Sequence, residues 1–266
     1  MSFQPVIVGS GLVGWNFLQS TFDRQNELFQ KSPLILRDTE YFAENIASVQ
    51  NAEDLVNDRR LLRVALKAFG LQDDINSKAL ISKVLSEGTE SSSSLANKLS
   101  DSRYAEFSKT FGFGNANGAQ TLADGFAEDI IARYNAQSFE IAVGEQNETL
   151  RLALNAERKL PELAEQSSSN DSLWYQIMGT PPLREVFESA LGLPSSFGQI
   201  DIDQQLEVFQ DKANQRWGTD DVRELAKPEM LEEITKTYLL REQAQEIGSS
   251  SSGSIALTLL QSISFG

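Results

Sequence analysis

Cysteine and histidine are both missing from this 266-residue chain. Without cysteine there are no disulfides and no thiolate nucleophile or ligand. Without histidine the commonest transition-metal ligand and the usual general base at neutral pH are gone. Serine–histidine and cysteine–histidine catalysis and the zinc-hydrolase ligand sets are therefore excluded by inventory. Positive charge is scarce as well: 23 Lys and Arg stand against 38 Asp and Glu, a net charge of −15. Nucleic-acid binding needs clustered cations to neutralise phosphate, so it is not expected. The same charge opposes docking on an anionic membrane. No apolar run approaches the roughly 18 residues that a membrane span requires. The N-terminus shows no basic segment followed by an apolar one, so no secretory signal is expected.

What is present is a foldable composition, with 40% hydrophobic residues and 15 phenylalanines. The most organised part is 58–113, which reads as three or four short helices. Asp58 is placed to cap the first helix. Leu61, Leu62, Ala65, Ala68 and Phe69 follow at helical spacing, and Gly70 sits where a left-handed residue ends a helix. Leu80, Ile81, Val84 and Leu85 mark a second helix that stops at Gly88. Tyr104, Phe107 and Phe111 form the stripe of a last one.

A weaker copy returns at 179–240. Leu61, Val64, Ala68, Gly70 and Leu71 align with Leu183, Val186, Ala190, Gly192 and Leu193, and the KTF of 109–111 aligns with the KTY of 236–238. This pattern predicts an all-α protein of two similar multi-helix units, an internal duplication. Two longer helices, from about Leu122 to Val143 and from Asn147 to Leu160, are expected to join them. The expected boundaries are an N-terminal arm at 1–36, a first unit with its connecting helices at 37–164, and a second unit at 165–247. A flexible Ser/Gly linker with an apolar tail is expected at 248–266.

One motif points elsewhere. Gly9, Gly11 and Gly14 in PVIVGSGLVG have the spacing of a dinucleotide-binding turn. Val6–Val8 would be the preceding strand, Leu34–Leu36 a second strand, and Asp38 the ribose-binding carboxylate. Against it, 40–246 shows helical periodicity and no further strand, and two strands alone cannot bury their faces. The expectation is therefore a loosely packed arm and no bound cofactor. Among the carboxylate pairs, Asp201 and Asp203 are the most metal-like, because hard cations favour clustered oxygens. No glycine turn and downstream glutamate follow at calcium-loop spacing. These two, Asp73–Asp74 and Asp220–Asp221 all stand where helices should start, so capping is expected. Glu232–Glu233 reads as a solvated helix face. Trp15, Trp174 and Trp217 are expected to be buried rather than to line a recognition surface.

Five segments carry a family resemblance: RDTEYFAENI (37–46), DLVNDRRLLRVALKAFGLQDDI (54–75), KVLSEGTESSSSLANKLSDSRYAEFSKTFGF (83–113), EQNETLRLALNAERK (145–159) and IDIDQQLEVF (200–209). Over about residues 37 to 240 the chain resembles the bacterial domain-of-unknown-function family 1217. The resemblance implies a helical protein, often encoded among flagellar genes, with no assigned activity and no catalytic residues to carry over. The combined expectation is a non-enzymatic accessory or structural protein that binds protein partners, with flagellar components among the candidates. It would act in the cytoplasm or, alternatively, be exported through the flagellar secretion apparatus. The competing expectation is a nucleotide-binding enzyme or sensor acting through Gly9–Gly14.

Overall fold

A computed structural model of the chain describes residues 3–263, and the side chains among them except that of residue 195 and those from 247 on. Among the described residues the fold is all-α and contains no strand. In chain order the helices are α1 (Gly11–Gln30), α2 (Pro33–Asn45), α3 (Ala52–Asn57), α4 (Arg59–Ala68), α5 (Lys78–Glu87), α6 (Leu95–Lys98) and α7 (Ser102–Phe111). They continue as α8 (Phe126–Gly144), α9 (Glu148–Ala164), α10 (Asn170–Met178), α11 (Pro181–Leu191), α12 (Ile202–Trp217), α13 (Val222–Leu225) and α14 (Pro228–Ile263). Short 3-10 turns lie at Ile46–Ser48, Gln72–Asn76 and Ser195–Gln199.

The chain divides into two compact units, the first built mainly from 20–146 and the second from 7–19, 147–175 and 182 onward. In the first unit α4 is the central element, packed on α2, α3 and α8. Its start is set by Asp58, whose Oδ1 accepts from the N–H groups of Arg60 (2.9 Å) and Leu61 (3.0 Å). Its apolar face is wide: Leu61, Leu62, Val64, Ala65, Leu66 and Ala68 are all buried. Beyond it, Phe69, Phe107, Phe111 and Phe126 form a ring cluster with centroids 5.0 to 5.3 Å apart at its closest pairs. Such pairs add about 0.5–1.5 kcal/mol each beyond the area they bury. Buried Ser108 donates to the Val84 carbonyl (2.7 Å), which ties α7 to α5 without an orphan hydroxyl there.

The second unit is organised around Trp174, which is fully buried. Its ring lies 5.4 Å from Phe187 and 5.8 Å from Phe209, and its indole N–H donates to the Asp220 carbonyl (2.7 Å). Asn170 secures the same loop, donating to the Asp220 carbonyl and accepting from the Val222 N–H. α9 packs on α13 and α14.

The two segments matched in the sequence have the same element order. Helix, 3-10 turn, helix, short helix and helix run as α4 to α7 in one and α11 to α14 in the other. Gly70 and Gly192 both have left-handed backbones, with φ of 73° and 69°. Both close the preceding helix with the same pair of bonds. Gly70 N–H donates to Lys67 and Leu71 N–H to Leu66, while Gly192 N–H donates to Ser189 and Leu193 N–H to Glu188.

Structure and expectation differ at several places. The N-terminal arm expected at 1–36 is not loose over its described residues, 3–36: α1 and the start of α2 lie there, and Trp15, Leu18, Phe29 and Ile35 are buried. Its scattered aromatics hid a helix with buried positions along its length. Leu34–Leu36, a strand only in the dinucleotide reading argued against above, is helical, because Pro33 opens α2 at a first-turn position. α9 does not stop before Pro161 but continues to Ala164, with the proline inside it. The backbone of 248–254 is helical as part of α14, so it is not a linker there. A helix already nucleated upstream propagates through poor formers far more readily than one could start among them. The last three residues of the apolar tail lie outside the described residues.

Candidate functional site

The glycine motif is used by the chain itself. The N–H of Val6 donates to Gln25 Oε1 (2.5 Å), and Gln25 Nε2 donates back to the Val6 carbonyl (3.0 Å). Both backbone groups that a sheet neighbour would need are thus taken by one side-chain amide. Gly9 and Gly11 have positive φ and turn the chain into α1. A Cβ on Gly14 would lie 2.8 Å from the Gly9 carbonyl oxygen, and one on Gly11 would lie 2.7 Å from Gln243 Oε1. The spacing therefore reflects close self-packing at a helix entry. The strand–turn–helix setting of a dinucleotide site is absent among the described residues.

Asp38 has a structural occupation too. It projects from α2 with its side chain 5% exposed, and Oδ1 lies 2.6 Å from Nη2 of Arg63 on α4. Its Oδ2 accepts from the Tyr134 hydroxyl on α8 (3.0 Å). Burial, then the Asp38 charge, pushes the Tyr134 phenol well above its ordinary range. On the next turn of α4, burial draws the Lys67 ammonium down, opposed by Asp38 and Glu145. Both carboxylate oxygens are engaged, which leaves Asp38 ill-suited to receive a ribose.

The acidic pairs act at helix starts. Asp201 accepts from the Asp203 N–H (2.9 Å) as the cap of α12, and Asp221 accepts from the Arg223 N–H (2.9 Å) as the cap of α13. Asp73 and Asp74 lie in the first turn of Gln72–Asn76, where Asp74 also accepts from the Tyr104 hydroxyl (2.6 Å). Glu232 and Glu233 are exposed on α14. Among the described residues no three carboxylates are grouped to hold a metal ion. Trp15 and Trp174 are buried, and Trp217 is half-buried with its ring edge-on to Phe187.

What sequence reasoning missed lies beside Asp203. Asp203 Oδ1 accepts from the Tyr175 hydroxyl (2.5 Å), which holds the end of α10 against the start of α12. Tyr175, Ile200 and Ile202 are 38%, 40% and 47% exposed. Ile200 is in extended conformation and Asp201 caps α12, which begins at Ile202. The hydrogen bond to Asp203, then burial and the charges of Asp203, Asp171 and Asp201, push the Tyr175 phenol up to about 12. The phenol is therefore neutral, and its hydrogen bond to Asp203 holds it. Three part-exposed apolar residues thus lie in α10 and at the entry to α12, and the carboxylates of Asp203, Asp171 and Asp201 act on Tyr175. The available signal was the pair of isoleucines set among the capping aspartates in Ile-Asp-Ile-Asp at 200–203.

The profile of a family described as protein of unknown function (DUF1217) matches residues 68–231. The chain belongs to the DUF1217 family. The matched region of this DUF1217 member begins in α4, ends in α14, and includes Gly70, Gly192 and the Ile200–Asp203 segment. The X-ray crystal structure of protein AGR_C_984 from Agrobacterium tumefaciens, a structural genomics target, is similar. Its TM-score is 0.74 at 31% identity, covering 91% of this chain and 97% of that one. No curated protein matches.

Proposed function

We propose that this DUF1217 protein is a non-enzymatic accessory or structural protein that binds other proteins, and that the Tyr175–Ile200–Ile202 patch is one docking surface. The observation that carries the reading is three part-exposed apolar side chains, Tyr175 on α10 and Ile200 and Ile202 at the entry to α12, with Asp171, Asp201 and Asp203 acting on Tyr175. Its complement is a partner segment presenting apolar residues flanked by Lys or Arg. The absence of histidine and cysteine, and the occupation of Asp38, Asp201 and Asp203 in internal bonds, support a non-catalytic role. The family resemblance directs the search for partners to flagellar components, and a cytoplasmic assembly factor is the preferred form. Among the described residues no helix is long and apolar enough to cross a membrane.

Capture from motile cells with the purified chain is the test. A flagellar component held by the wild type, lost with Ile200→Asp/Ile202→Asp and kept with Leu122→Asp, is the expected result. Leu122 is a suitable control because it is an exposed apolar residue in the first unit. Sub-millimolar calorimetric binding of a nicotinamide or flavin nucleotide, abolished by Gly11→Val, would instead favour the competing reading.

A further inference from the structure

The second unit contains a notch of 180 Å³ lined by Ala190, Leu191, Lys212, Gln215, Arg216 and Arg241. Three cations thus meet in one place in a chain with a net charge of −15. Lys212 and Arg216 are one turn apart on the same face of α12, a like-charge spacing that disfavours a helix. Elsewhere this spacing is used to pair charges, as in Lys31–Glu27, Lys83–Glu87, Arg133–Asp129 and Arg184–Glu188. Among the described residues Lys212, Arg216 and Arg241 have no carboxylate partner.

The backbone is shaped around one of them. At Gly192, just past the end of α11, a Cβ would lie 2.2 Å from Arg241 Nη1. The guanidinium therefore lies against bare backbone, and a side chain at 192 would make it move. The negative end of α11 helps to hold it there. The bonds that close α11 come from Gly192 and Leu193 instead, so the Arg241 donors are not spent on that helix end.

We propose that this notch binds a single phosphate group, either free phosphate or that of a small phosphate monoester. Guanidinium forks match phosphate oxygens, and a doubly charged tetrahedral anion can accept from several donors where a lone carboxylate would leave charge uncompensated. At 180 Å³ the notch is smaller than the roughly 300–1,000 Å³ typical of pockets that enclose a whole small molecule, so it suits a phosphate group with the rest of a monoester outside.

Calorimetric titration of the full chain with inorganic phosphate at low ionic strength tests this, with glycerol 3-phosphate and acetate in parallel arms. One phosphate per chain is expected, weakened by about tenfold or more in Arg216→Gln and in Arg241→Gln, since each removes a charge-assisted donor pair. Glycerol 3-phosphate binding tighter than phosphate would make a monoester the natural occupant, and the reverse order would make it the free ion. Both side chains are exposed, so the variants should fold, and Lys212→Glu provides a second charge change on α12. The proposal is overturned if phosphate does not bind, if acetate binds as tightly, or if the variants bind like the wild type. It is equally overturned if Arg241→Gln loses stability without losing phosphate, which would make Arg241 only a cap for α11.

Discussion

Arg63 Nη2 lies 2.6 Å from Asp38 Oδ1, and this pair joins α2 to α4 over the Tyr134 hydroxyl. The acid is buried while the guanidinium is 43% exposed. Removing the acid strands a half-hydrated cation and a buried phenol. Asp38→Ala is expected to cost about 2 kcal/mol in urea unfolding, below the 3–5 of a fully buried pair because water still reaches Arg63. Asp38→Asn should cost less, because its amide oxygen can still accept from Tyr134 or Arg63. Equal stability of Asp38→Ala and wild type would show that the pair is incidental.

Glu157 on α9 gives a pH prediction. Burial, with a smaller contribution from Glu232, raises its carboxyl above 4.5, against the bond donated by Gln19 Nε2 (2.6 Å). The folded protein thus holds a proton there more tightly than the unfolded chain does. That contribution is fully present below pH 4.5 and is lost as pH rises through the folded pKa. Glu157→Gln should therefore melt higher than wild type at neutral pH, with the gap closing below pH 4.5. A gap that widens on acidification would reverse the sign and contradict the assignment.

Gly70 and Gly192 test the internal duplication that we infer from their matched element order and helix closures. Each has positive φ, so alanine at either position should cost about 1 kcal/mol. In both cases the nearest atom to a new Cβ is an arginine Nη1, of Arg103 and Arg241 respectively, and the end of a long side chain can yield. Similar losses in denaturant unfolding are expected. A loss at one site and none at the other would argue against equivalent roles.

Legibility followed how local each signal was. The caps at Asp58 and Asn147 and the stops at Gly70, Gly88 and Gly192 each depend on a few neighbouring residues, and each stands where the sequence places it. The glycine motif misled because Gly14 and Gly9 meet within a few residues of chain, a local use indistinguishable by spacing from a phosphate turn. α1 was hidden because burial of residues such as Phe29 depends on packing partners distant in sequence, here Phe139. The patch at Tyr175 and the notch at Arg241 both join separate helices, so no local pattern announces either.

Photo-crosslinking in motile cells tests the central claim most directly, with benzoylphenylalanine placed at 175, 200 or 202 and, as a control, at 122. A discrete adduct to a protein partner from the first three positions and none from 122 is the predicted result. No adduct from the three patch positions, or the same adducts from all four, would contradict a docking surface at Tyr175, Ile200 and Ile202.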